Sequence, residues 1–335
     1  MQSLMIYAAE ELRILSQMTN IRLLIIHQGA LGDVVLTFPA ISALRQKSDC
    51  IDILCQDQIG KLAAKLGLID KGYPLEAAYF ATLFSDQVDA KIINLIRSYE
   101  KILVFSFSAE LENAINHMST CPCLRIPPRP PPRDSIHVAE FLFKNLIDGG
   151  LLTDADADEA MINRQPKQSR RGGRSTDASK IIIHPGSGSI RKHWPLTRFL
   201  DLAEVLEEKG WQPQFVCGPA EPDLEAEIKN HNRQVYRFNE LTDLVDWLKT
   251  AGGYIGNDSG ISHLAPFLGL PSVVIFGPAD PKRWKPVGPR VQIVRPELDC
   301  HPCFEIEPDN CTQPVCLTDA TVASVLTAFG QVYKS

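Results

Sequence analysis

The sequence predicts an α/β protein built from two Rossmann-like domains that face each other across a cleft. Short apolar, β-branched runs alternate with helical patterns, which indicates parallel sheets covered by helices on both faces. This alternation ends and restarts once along the chain, and 335 residues are more than one ordinary core accommodates. Neither series contains the G-x-G-x-x-G fingerprint of a dinucleotide dehydrogenase.

The first series begins with a strand at 21–26, a glycine turn and a helical pattern from Val34 onward. Further strands are predicted at 51–54 and 101–105, with a helix at 89–97 between them. These elements predict the first parallel sheet.

A proline-dense segment, 121–133, follows this series. We predict a stiff surface loop there, because proline is excluded from helix interiors and from central strands. Arg125, Arg129 and Arg133 project from it and are candidate acceptor contacts, since arginine is well suited to grip anionic groups. A solvated connector explains the same composition, so both interpretations stay open.

A helix is predicted at 135–146, and the polar, aperiodic stretch 163–179 is the predicted linker. The second series then has strands and helices in alternation: strands at 180–183, 214–217, near Val235 and at 291–294, and helices at 196–209, 221–229, 241–250 and 320–332. We therefore divide the chain into an N-terminal extension at 1–20, an N-terminal domain at 21–162, a C-terminal domain at 180–318 and a closing helix at 319–335.

The net charge and the distribution of apolar residues exclude several classes of protein. The formal net charge of -6 argues against a general nucleic-acid-binding protein. The first twenty residues carry Glu10, Glu11 and Arg13 within their apolar part, which predicts a short amphipathic helix rather than an export signal. Because no run approaches the ~18 apolar residues of a membrane span, we expect a cytoplasmic protein, with peripheral contact to a membrane surface left open.

The nine cysteines favour reduced thiols, since their number is odd and several lie in strand-like contexts. Cys300 and Cys303 form a C-x2-C pair, and Cys311 and Cys316 follow it. Their spacing departs from that of paired C-x2-C zinc sites. Structural zinc, free thiols and a facultative disulfide all stay open for these four residues.

The stretch from Tyr254 to Gly277 has the pattern of a strand, a small polar turn, a short helix and another strand. A helix that begins near Ser259, after Asp258, would aim its unpaired N–H groups and positive dipole end at a bound phosphate. Gly260 allows close backbone approach, and His263 falls on the same helical face. A well-capped helix with a packed histidine is the alternative.

The loop after the strand at 180–183 contains a His-Pro-Gly-Ser-Gly run with Ser187, followed by Arg191, Lys192 and Trp194. Its glycines expose backbone donors while its cations suit a diphosphate. A flexible loop with incidental charges is the alternative.

Two carboxylates lie where open α/β sheets bind ligands. Asp33 follows two glycines after the first strand and is a candidate general base, with a helix cap as the alternative. Glu221 follows a strand in the second series, where a carboxylate binds ribose hydroxyls, although an ordinary acidic helix start also explains it.

Together these stretches resemble glycosyltransferase family 9, the lipopolysaccharide heptosyltransferases that use ADP-heptose. The resemblance rests on four ordered motifs: Gly32-Asp33, then His184-Pro-Gly-Ser with Lys192-His-Trp-Pro, then Gly218-Pro-Ala-Glu221, and finally Gly256-Asn-Asp-Ser-Gly-Ile-Ser-His263. It implies the GT-B architecture, in which the N-terminal domain mainly holds the acceptor and the C-terminal domain the sugar nucleotide.

The resemblance also implies roles for individual residues. Asp33 matches the general base, and Lys192 matches a residue that contacts the donor phosphates and stabilises the leaving group. Glu221 lies near the ribose, and the remaining predicted donor contacts are Ser187, Asp258, Ser259, Gly260 and His263. No metal and no cofactor are implied.

We therefore predict an inverting, metal-independent glycosyltransferase that transfers a heptose from ADP-heptose to a lipopolysaccharide inner-core acceptor at the cytoplasmic face of the inner membrane. The alternatives are a family member with another nucleotide sugar and glycan acceptor, and a non-catalytic nucleotide-sugar-binding protein.

Overall fold

The computed structural model describes residues 21–84, 87–163, 177–298, 300–306, 311 and 315–334. The predicted amphipathic helix at 1–20 and most of the predicted linker lie outside these residues. The described chain is α/β, with two parallel sheets that form in two compact units. The prediction of two strand and helix series is therefore confirmed.

Of the described residues, the first unit contains those up to Gly29 and those within Phe38–Pro128 and Leu142–Ala160. Its sheet has five parallel strands in the order β3-β2-β1-β4-β5. The strands are β1 (Arg22–His27), β2 (Cys50–Cys55), β3 (Lys71–Pro74), β4 (Lys101–Phe105) and β5 (Cys123–Ile126).

Helices connect these strands. They are α1 (Leu31–Arg45), α2 (Asp57–Lys65), a 3-10 helix (Ala78–Phe84), α3 (Ala90–Ile96), α4 (Ala109–Met118), α5 (Val138–Asp148) and α6 (Asp154–Asn163). Apolar side chains of β1 and β4, such as Leu24, Ile26 and Val104, pack in one buried cluster with Ile92 and Ile96 of α3. This burial explains why β1 and β4 are uninterrupted apolar runs.

The prediction of a loop throughout 121–133 is wrong for Cys123–Ile126, which form the edge strand β5. Pro122 and Pro127 flank this strand, and the four residues between them retain their N–H groups. An edge strand pairs on one side only, so nearby prolines do not prevent it. Arg125 lies within β5, where its Nε donates to Glu112 Oε2 at 2.7 Å.

Among the residues that the structure describes, the second unit contains Ala30–Thr37, Arg129–Phe141 and those from Met161 onward. Its six parallel strands have the order β11-β10-β9-β6-β7-β8. They are β6 (Asp177–His184), β7 (Gln212–Cys217), β8 (Val235–Arg237), β9 (Ala251–Asn257), β10 (Ser272–Ile275) and β11 (Val291–Val294). Strand β6 thus begins within the stretch predicted as linker, and the segments 30–37 and 129–141 belong to this unit rather than to the first.

The helices of the second unit begin with a 3-10 helix (Ile190–Lys192), followed by α7 (Leu196–Glu208), α8 (Pro222–Asn230), α9 (Leu241–Leu248), α10 (Gly260–Phe267), α11 (Pro281–Trp284), α12 (Val315–Thr318) and α13 (Val322–Lys334). Ile181, Ile183 and Ile255 of the central strands pack in one cluster with Phe199 of α7 and Phe329 of α13. Across the described helices, none is both long enough and apolar enough to cross a membrane.

The two sheets repeat one topology. If each series is numbered from its own first strand, both have the order 3-2-1-4-5, and the second adds a sixth strand. The connections that follow strands 1 and 4 diverge in opposite directions, which opens a crevice at the carboxyl ends of these strands. In the second unit this crevice lies between β6 and β9.

Candidate functional site

A cavity of about 250 Å³ lies in the second unit at the crevice beyond β6 and β9. It gathers most of the charged residues that the sequence singled out. Its lining consists of Ala30, Gly32, Asp33, Arg129, Gly188, Lys192, Asp258, Ser259, Gly260, His263, Trp284, Phe304 and Glu305. Of the predicted site residues, Ser187, Glu221, Arg125 and Arg133 do not line this cavity.

The amino end of α10 forms one wall. Ser259 is the N-cap, and its hydroxyl accepts a hydrogen bond from Ser262 N at 3.4 Å. The first turn of a helix leaves N–H groups unpaired and carries positive potential, so this wall suits an anion. A Cβ added at Gly260 would lie 3.0 Å from Leu31 Cβ, so a larger residue there would require the start of α10 or Leu31 to shift.

Lys192 is one of the two cations that line the cavity, with Arg129. Its Nζ lies 2.7 Å from Asp258 Oδ2 and 4.3 Å from the centre of the Phe304 ring. The carboxylate and the ring together hold the ammonium group in place. Asp258 is almost fully buried, whereas Lys192 is partly exposed at the cavity beside the amino end of α10, where an incoming anion would meet it.

His263 is buried beneath the same turn. Burial lowers its pKa to about 4, against the opposing effect of Asp258, whose Oδ1 lies 3.8 Å from His263 Nε2. The ring is therefore neutral near pH 7, and its Nδ1 is buried without a hydrogen-bond partner among the described residues. A Cβ added at Gly32 would come within 3.3 Å of the ring, so this glycine makes room for it.

Asp33 lies in the first turn of α1 and faces the cavity. Burial raises the pKa of its carboxyl group, while Arg129 and Lys192 act in the opposite direction. Arg129 Nη1 lies 3.8 Å from Asp33 Oδ1. A partly buried carboxylate whose pKa is set by burial and by neighbouring cations is suited to act as a general base.

Glu221 reaches the site through His184. Its Oε2 accepts from Gly218 N at 2.7 Å and lies 3.4 Å from His184 Nε2, while His184 Nδ1 lies 3.2 Å from Ser259 Oγ. Burial alone would raise the pKa of Glu221, but His184 and the Gly218 N–H outweigh it and hold the pKa below its ordinary value. A Cβ at Gly186 would overlap the Glu221 carboxylate, so the carboxylate can occupy this position because residue 186 is glycine.

The loop after β6 is held by one buried amide. Asn257 Nδ2 donates to Pro185 O at 2.6 Å, and Trp194 N donates to Asn257 Oδ1 at 3.0 Å. The Trp194 indole also donates to Ala320 O at 2.9 Å. Within the loop, the Ser187 hydroxyl donates to Ser189 O instead of facing the cavity.

Sequence reasoning missed four residues around this cavity: Arg283, Trp284, Phe304 and Glu305. Glu305 Oε2 accepts from the Trp284 indole and from Arg283 Nε, both at 2.9 Å. Phe304 supports Lys192 as described above. Phe304 and Glu305 follow the cysteine pair and carry no local signal of a site.

The three candidate arginines separate in the structure. Arg129 lines the cavity, whereas Arg125 pairs with Glu112 in the first unit. Arg133 lines a smaller neighbouring cavity of about 100 Å³ with Asp134, Arg283 and His301.

The cysteine segment does not assemble a metal site among the described residues. A metal site needs at least three ligand atoms close together, here taken as within 4.8 Å of one another. In the part of the chain that the structure describes, no such group includes Cys300, Cys303, Cys311 or Cys316. Cys316 is buried, and burial together with the neighbouring Cys300 and Cys311 raises the pKa of its thiol. That thiol is therefore protonated near pH 7.

One such group occurs in the first unit, at Cys50, Asp52 and Asp70. Asp70 Oδ1 accepts from Arg45 Nη2 at 2.8 Å, and Asp52 Oδ2 accepts from the Tyr99 hydroxyl at 2.6 Å. These partners already satisfy the two carboxylates.

A family sequence model and the curated relatives of this chain agree on one family. The sequence model described as "Glycosyltransferase family 9 (heptosyltransferase)" matches residues 140–312, just over half of the chain. Lipopolysaccharide heptosyltransferase 1 of Pseudomonas aeruginosa is 27% identical over 128 residues, which cover 37% of this chain and 36% of that protein. Lipopolysaccharide heptosyltransferase 3 of Escherichia coli is 29% identical over 116 residues, which cover 32% and 33% respectively. The matches thus span about a third of the length of these curated relatives.

Solved structures share the fold over nearly the whole chain. The glycosyl transferase family 9 protein of Veillonella parvula has a TM-score of 0.71 at 17% identity and covers 94% of this chain and 97% of its own. The Escherichia coli ADP-heptose lps heptosyltransferase II has a TM-score of 0.69 at 16% identity, with 94% and 99% covered. At these identities the likeness concerns the fold, and it confirms the predicted α/β class with the GT-B architecture.

Proposed function

The chain belongs to glycosyltransferase family 9, and from that premise we propose that it transfers a heptose from ADP-heptose to a lipopolysaccharide inner-core acceptor. The transfer inverts the anomeric centre and requires neither a metal ion nor a cofactor. One observation supports this proposal most directly: a single cavity brings together a carboxylate, Asp33, a cation, Lys192, and the amino end of α10.

In the proposed complex the donor diphosphate lies against the first turn of α10. The N–H groups after Ser259 and the Lys192 ammonium bind its oxygens, and Lys192 then shares its charge between Asp258 and the phosphate. Glu221, held ionised by His184 and Gly218, accepts hydrogen bonds from the ribose hydroxyls. The neutral His263 contributes its unpartnered Nδ1 beneath the turn.

Asp33 acts as the general base. It removes the proton of the attacking acceptor hydroxyl as that oxygen bonds to the anomeric carbon. The bond between this carbon and the diphosphate oxygen breaks, and its electron pair leaves with ADP. Lys192 and α10 stabilise the charge that grows on the leaving group, which is the role a metal ion plays in other transferases.

The acceptor side of the proposal rests on fewer contacts. Arg129 is the acceptor contact we favour because it lines the cavity beside Asp33. Arg125 and Arg133 remain weaker candidates, and Ser187 remains a candidate donor contact through its loop. We also propose that 21–162 holds mainly the acceptor, through Asp33 and Arg129 in the segments that fold with the second unit, and that 180–318 holds mainly the sugar nucleotide. The proposed place of action is the cytoplasmic face of the inner membrane.

Purified protein tests the proposal through donor turnover with and without a chelator. We expect Asp33→Asn to lower kcat by roughly 10²- to 10⁴-fold, because a positioned general base contributes that much. Its dissociation constant for ADP should stay near the wild-type value, since Asp33 contacts the acceptor. Full activity in Asp33→Asn, or a strict requirement for Mg²⁺, would contradict the mechanism.

The donor itself is tested separately by thermal shift with ADP-, GDP- and UDP-sugars. A ligand at 100 times its dissociation constant adds about 2.7 kcal/mol to the free energy of unfolding. Stabilisation by a different nucleotide sugar alone would replace ADP-heptose in the proposal. Donor binding without transfer to any inner-core acceptor would favour a binding protein instead.

A further inference from the structure

The guanidinium of Arg283 is the most heavily bonded side-chain group beside the cavity. Arg283 lies in α11 and is 2% exposed. Its Nε donates to Glu305 Oε2 at 2.9 Å, and its Nη2 reaches Glu305 Oε1 at 3.5 Å and Pro130 O at 3.0 Å. Its Nη1 donates to Pro131 O at 2.7 Å and also to Asp134 O. All five N–H donors of this arginine therefore have acceptors.

We propose that Arg283 is a positioning residue for the transfer reaction: it clasps the proline-rich segment 129–134 and thereby fixes Arg129 beside Asp33. We call these five hydrogen bonds the Arg283 clasp. The proposal rests on the proposed function and adds a residue that neither the motifs nor the family resemblance singled out.

The segment needs such a clasp because of its composition. Pro130, Pro131 and Pro132 have no N–H group, so the backbone there cannot join a ladder of hydrogen bonds and offers only carbonyl acceptors. Arg283 donates hydrogen bonds to two of these three carbonyl groups and to that of Asp134. Lysine could not replace it, since an ammonium group has three donors without the planar fork.

A second tether holds the same stretch of chain farther along. His137 Nδ1 accepts from Ala139 N at 3.1 Å, which leaves Nε2 protonated to donate to Lys285 O at 2.7 Å. Arg283 and Lys285 are two residues apart, so the segment and the residues just after it are attached at two points to one short piece of chain.

The clasp reaches the reacting groups through Glu305 and Arg129. Arg129 Nε lies 3.8 Å from Glu305 Oε1, and Arg129 Nη1 lies 3.8 Å from Asp33 Oδ1. Glu305 is oriented by Arg283 and by the Trp284 indole. Arg283 thus controls both the backbone that carries Arg129 and the carboxylate on its other side.

This arrangement acts on the basicity of Asp33. The charged and titratable groups that face it are Arg129, Lys192 and Glu305, with Asp258 and His263 farther along the cavity. Burial raises the pKa of Asp33, Arg129 and Lys192 lower it, and Glu305 raises it. If Arg129 moves away, the carboxylate loses a stabilising cation and holds its proton to higher pH.

The test uses the full chain and compares Arg283→Lys with Arg129→Gln and the double variant. For Arg283→Lys we expect a loss of roughly 10- to 100-fold in kcat/KM for the acceptor, because small displacements of catalytic groups cost that much. The acid limb of the kcat/KM profile should shift to higher pH in both single variants. The double variant should match Arg129→Gln, since Arg283 acts through Arg129. The dissociation constant for ADP should stay within about threefold of wild type.

Arg290→Lys is the matched control, because Arg290 also donates to a backbone carbonyl, Gly269 O, at 3.3 Å, but away from the cavity. It should keep the wild-type profile. A folded Arg283→Lys protein with the wild-type acid limb overturns the proposal, as does additivity of the two single variants. Failure of the wild type to bind ADP or transfer sugar would instead overturn the proposed function.

Glu305→Gln tests the same chain of contacts if Arg283→Lys does not fold. The glutamine retains an acceptor for Arg283 and removes the charge that competes for Arg129. Arg129 keeps its contact with Asp33 while the nearby negative charge is lost, so the acid limb should shift to lower pH. A shift to higher pH, or no shift, overturns the proposal.

Discussion

The two sheets share a strand order, yet the crevices at their switch points contain different chemistry. Strand β1 of the first unit ends at His27, and strand β6 of the second ends at His184 in the equivalent position. His27 Nδ1 accepts from Gly29 N at 3.0 Å, and its ring lies 5.3 Å from that of Phe105. His184 instead lies within hydrogen-bonding distance of Ser259 and Glu221.

The neighbours differ in the same way. In the first unit, the Ser106 hydroxyl donates to Gln28 Oε1 at 3.2 Å, so neutral groups satisfy one another at the crevice. Burial lowers the pKa of His27 to about 4, which keeps it uncharged near pH 7. In the second unit, Lys192 and Asp258 carry charge at the same topological place. The topology supplies a crevice, and the residues beside it decide whether a diphosphate can bind there.

The largest expected effect on nucleotide binding comes from Lys192→Met. We expect ADP affinity to fall by roughly 10- to 100-fold, because a hydrogen bond to a charged group contributes about 1.5–3 kcal/mol. Isothermal titration calorimetry with ADP measures this change. The control is Gln28→Ala at the switch point of the first unit, which should leave ADP affinity unchanged. An equal loss in both variants would show that the two crevices are not distinct in function.

The two histidines that end β1 and β6 test the same comparison between the crevices, with a smaller expected effect. His184→Ala should weaken ADP binding by about 2- to 10-fold, because His184 acts on the nucleotide through Ser259 and Glu221 and a typical hydrogen bond contributes about 0.5–1.5 kcal/mol. It should also reduce the preference for ADP over 2′-deoxy-ADP, since Glu221 loses the partner that orients it. Calorimetry with the two nucleotides measures both quantities.

His27→Ala is the matched variant in the first unit. It should lower the free energy of unfolding in urea by roughly 1–3 kcal/mol, as a truncated core residue does, without changing ADP affinity. Loss of nucleotide binding in His27→Ala at full stability would contradict the assignment of a packing role.

The smallest expected effect concerns Arg125. Its pair with Glu112 is partly exposed, so Arg125→Ala should change the free energy of unfolding by about 1 kcal/mol or less. The kinetics of transfer should stay at wild-type values, in contrast to Arg129→Gln. A marked rise in the acceptor KM of Arg125→Ala would restore Arg125 as an acceptor contact.

The sequence predicts most strands of both sheets well, and it fails at the two edges of the first sheet. Strands such as β4 and β6 are buried on both faces, so they appear as apolar runs with abrupt ends. Strand β3, with the sequence Lys-Gly-Tyr-Pro, and strand β5 are four-residue edges that bury little surface. Their composition therefore resembles that of loops, and the flanking prolines strengthened that interpretation for β5.

The site shows the same division. Lys192, Asp258 and His263 follow glycine-bearing turns at strand ends, and the structure brings them together as the motifs indicated. The Arg283 clasp joins residues about 150 positions apart, and no local pattern reports such a contact. Arginine is usually exposed, so the burial of Arg283 depends on carbonyl groups whose position only the folded chain reveals. Arg125 and Arg129 are only four residues apart, yet Arg125 pairs with Glu112 and Arg129 lines the cavity. This difference also depends on contacts that only the folded chain reveals.

Asn257 has a consequence for the cost of ligand binding. Its amide bonds Pro185 and Trp194, which lie near the two ends of the loop that carries Lys192. A free loop would have to be immobilised when a ligand arrives, at roughly 1–2 kcal/mol of backbone entropy per ordered residue. Here that entropy has already been lost on folding, so more of the contact energy remains as affinity. The shape of the loop is set by the sheet before any ligand binds.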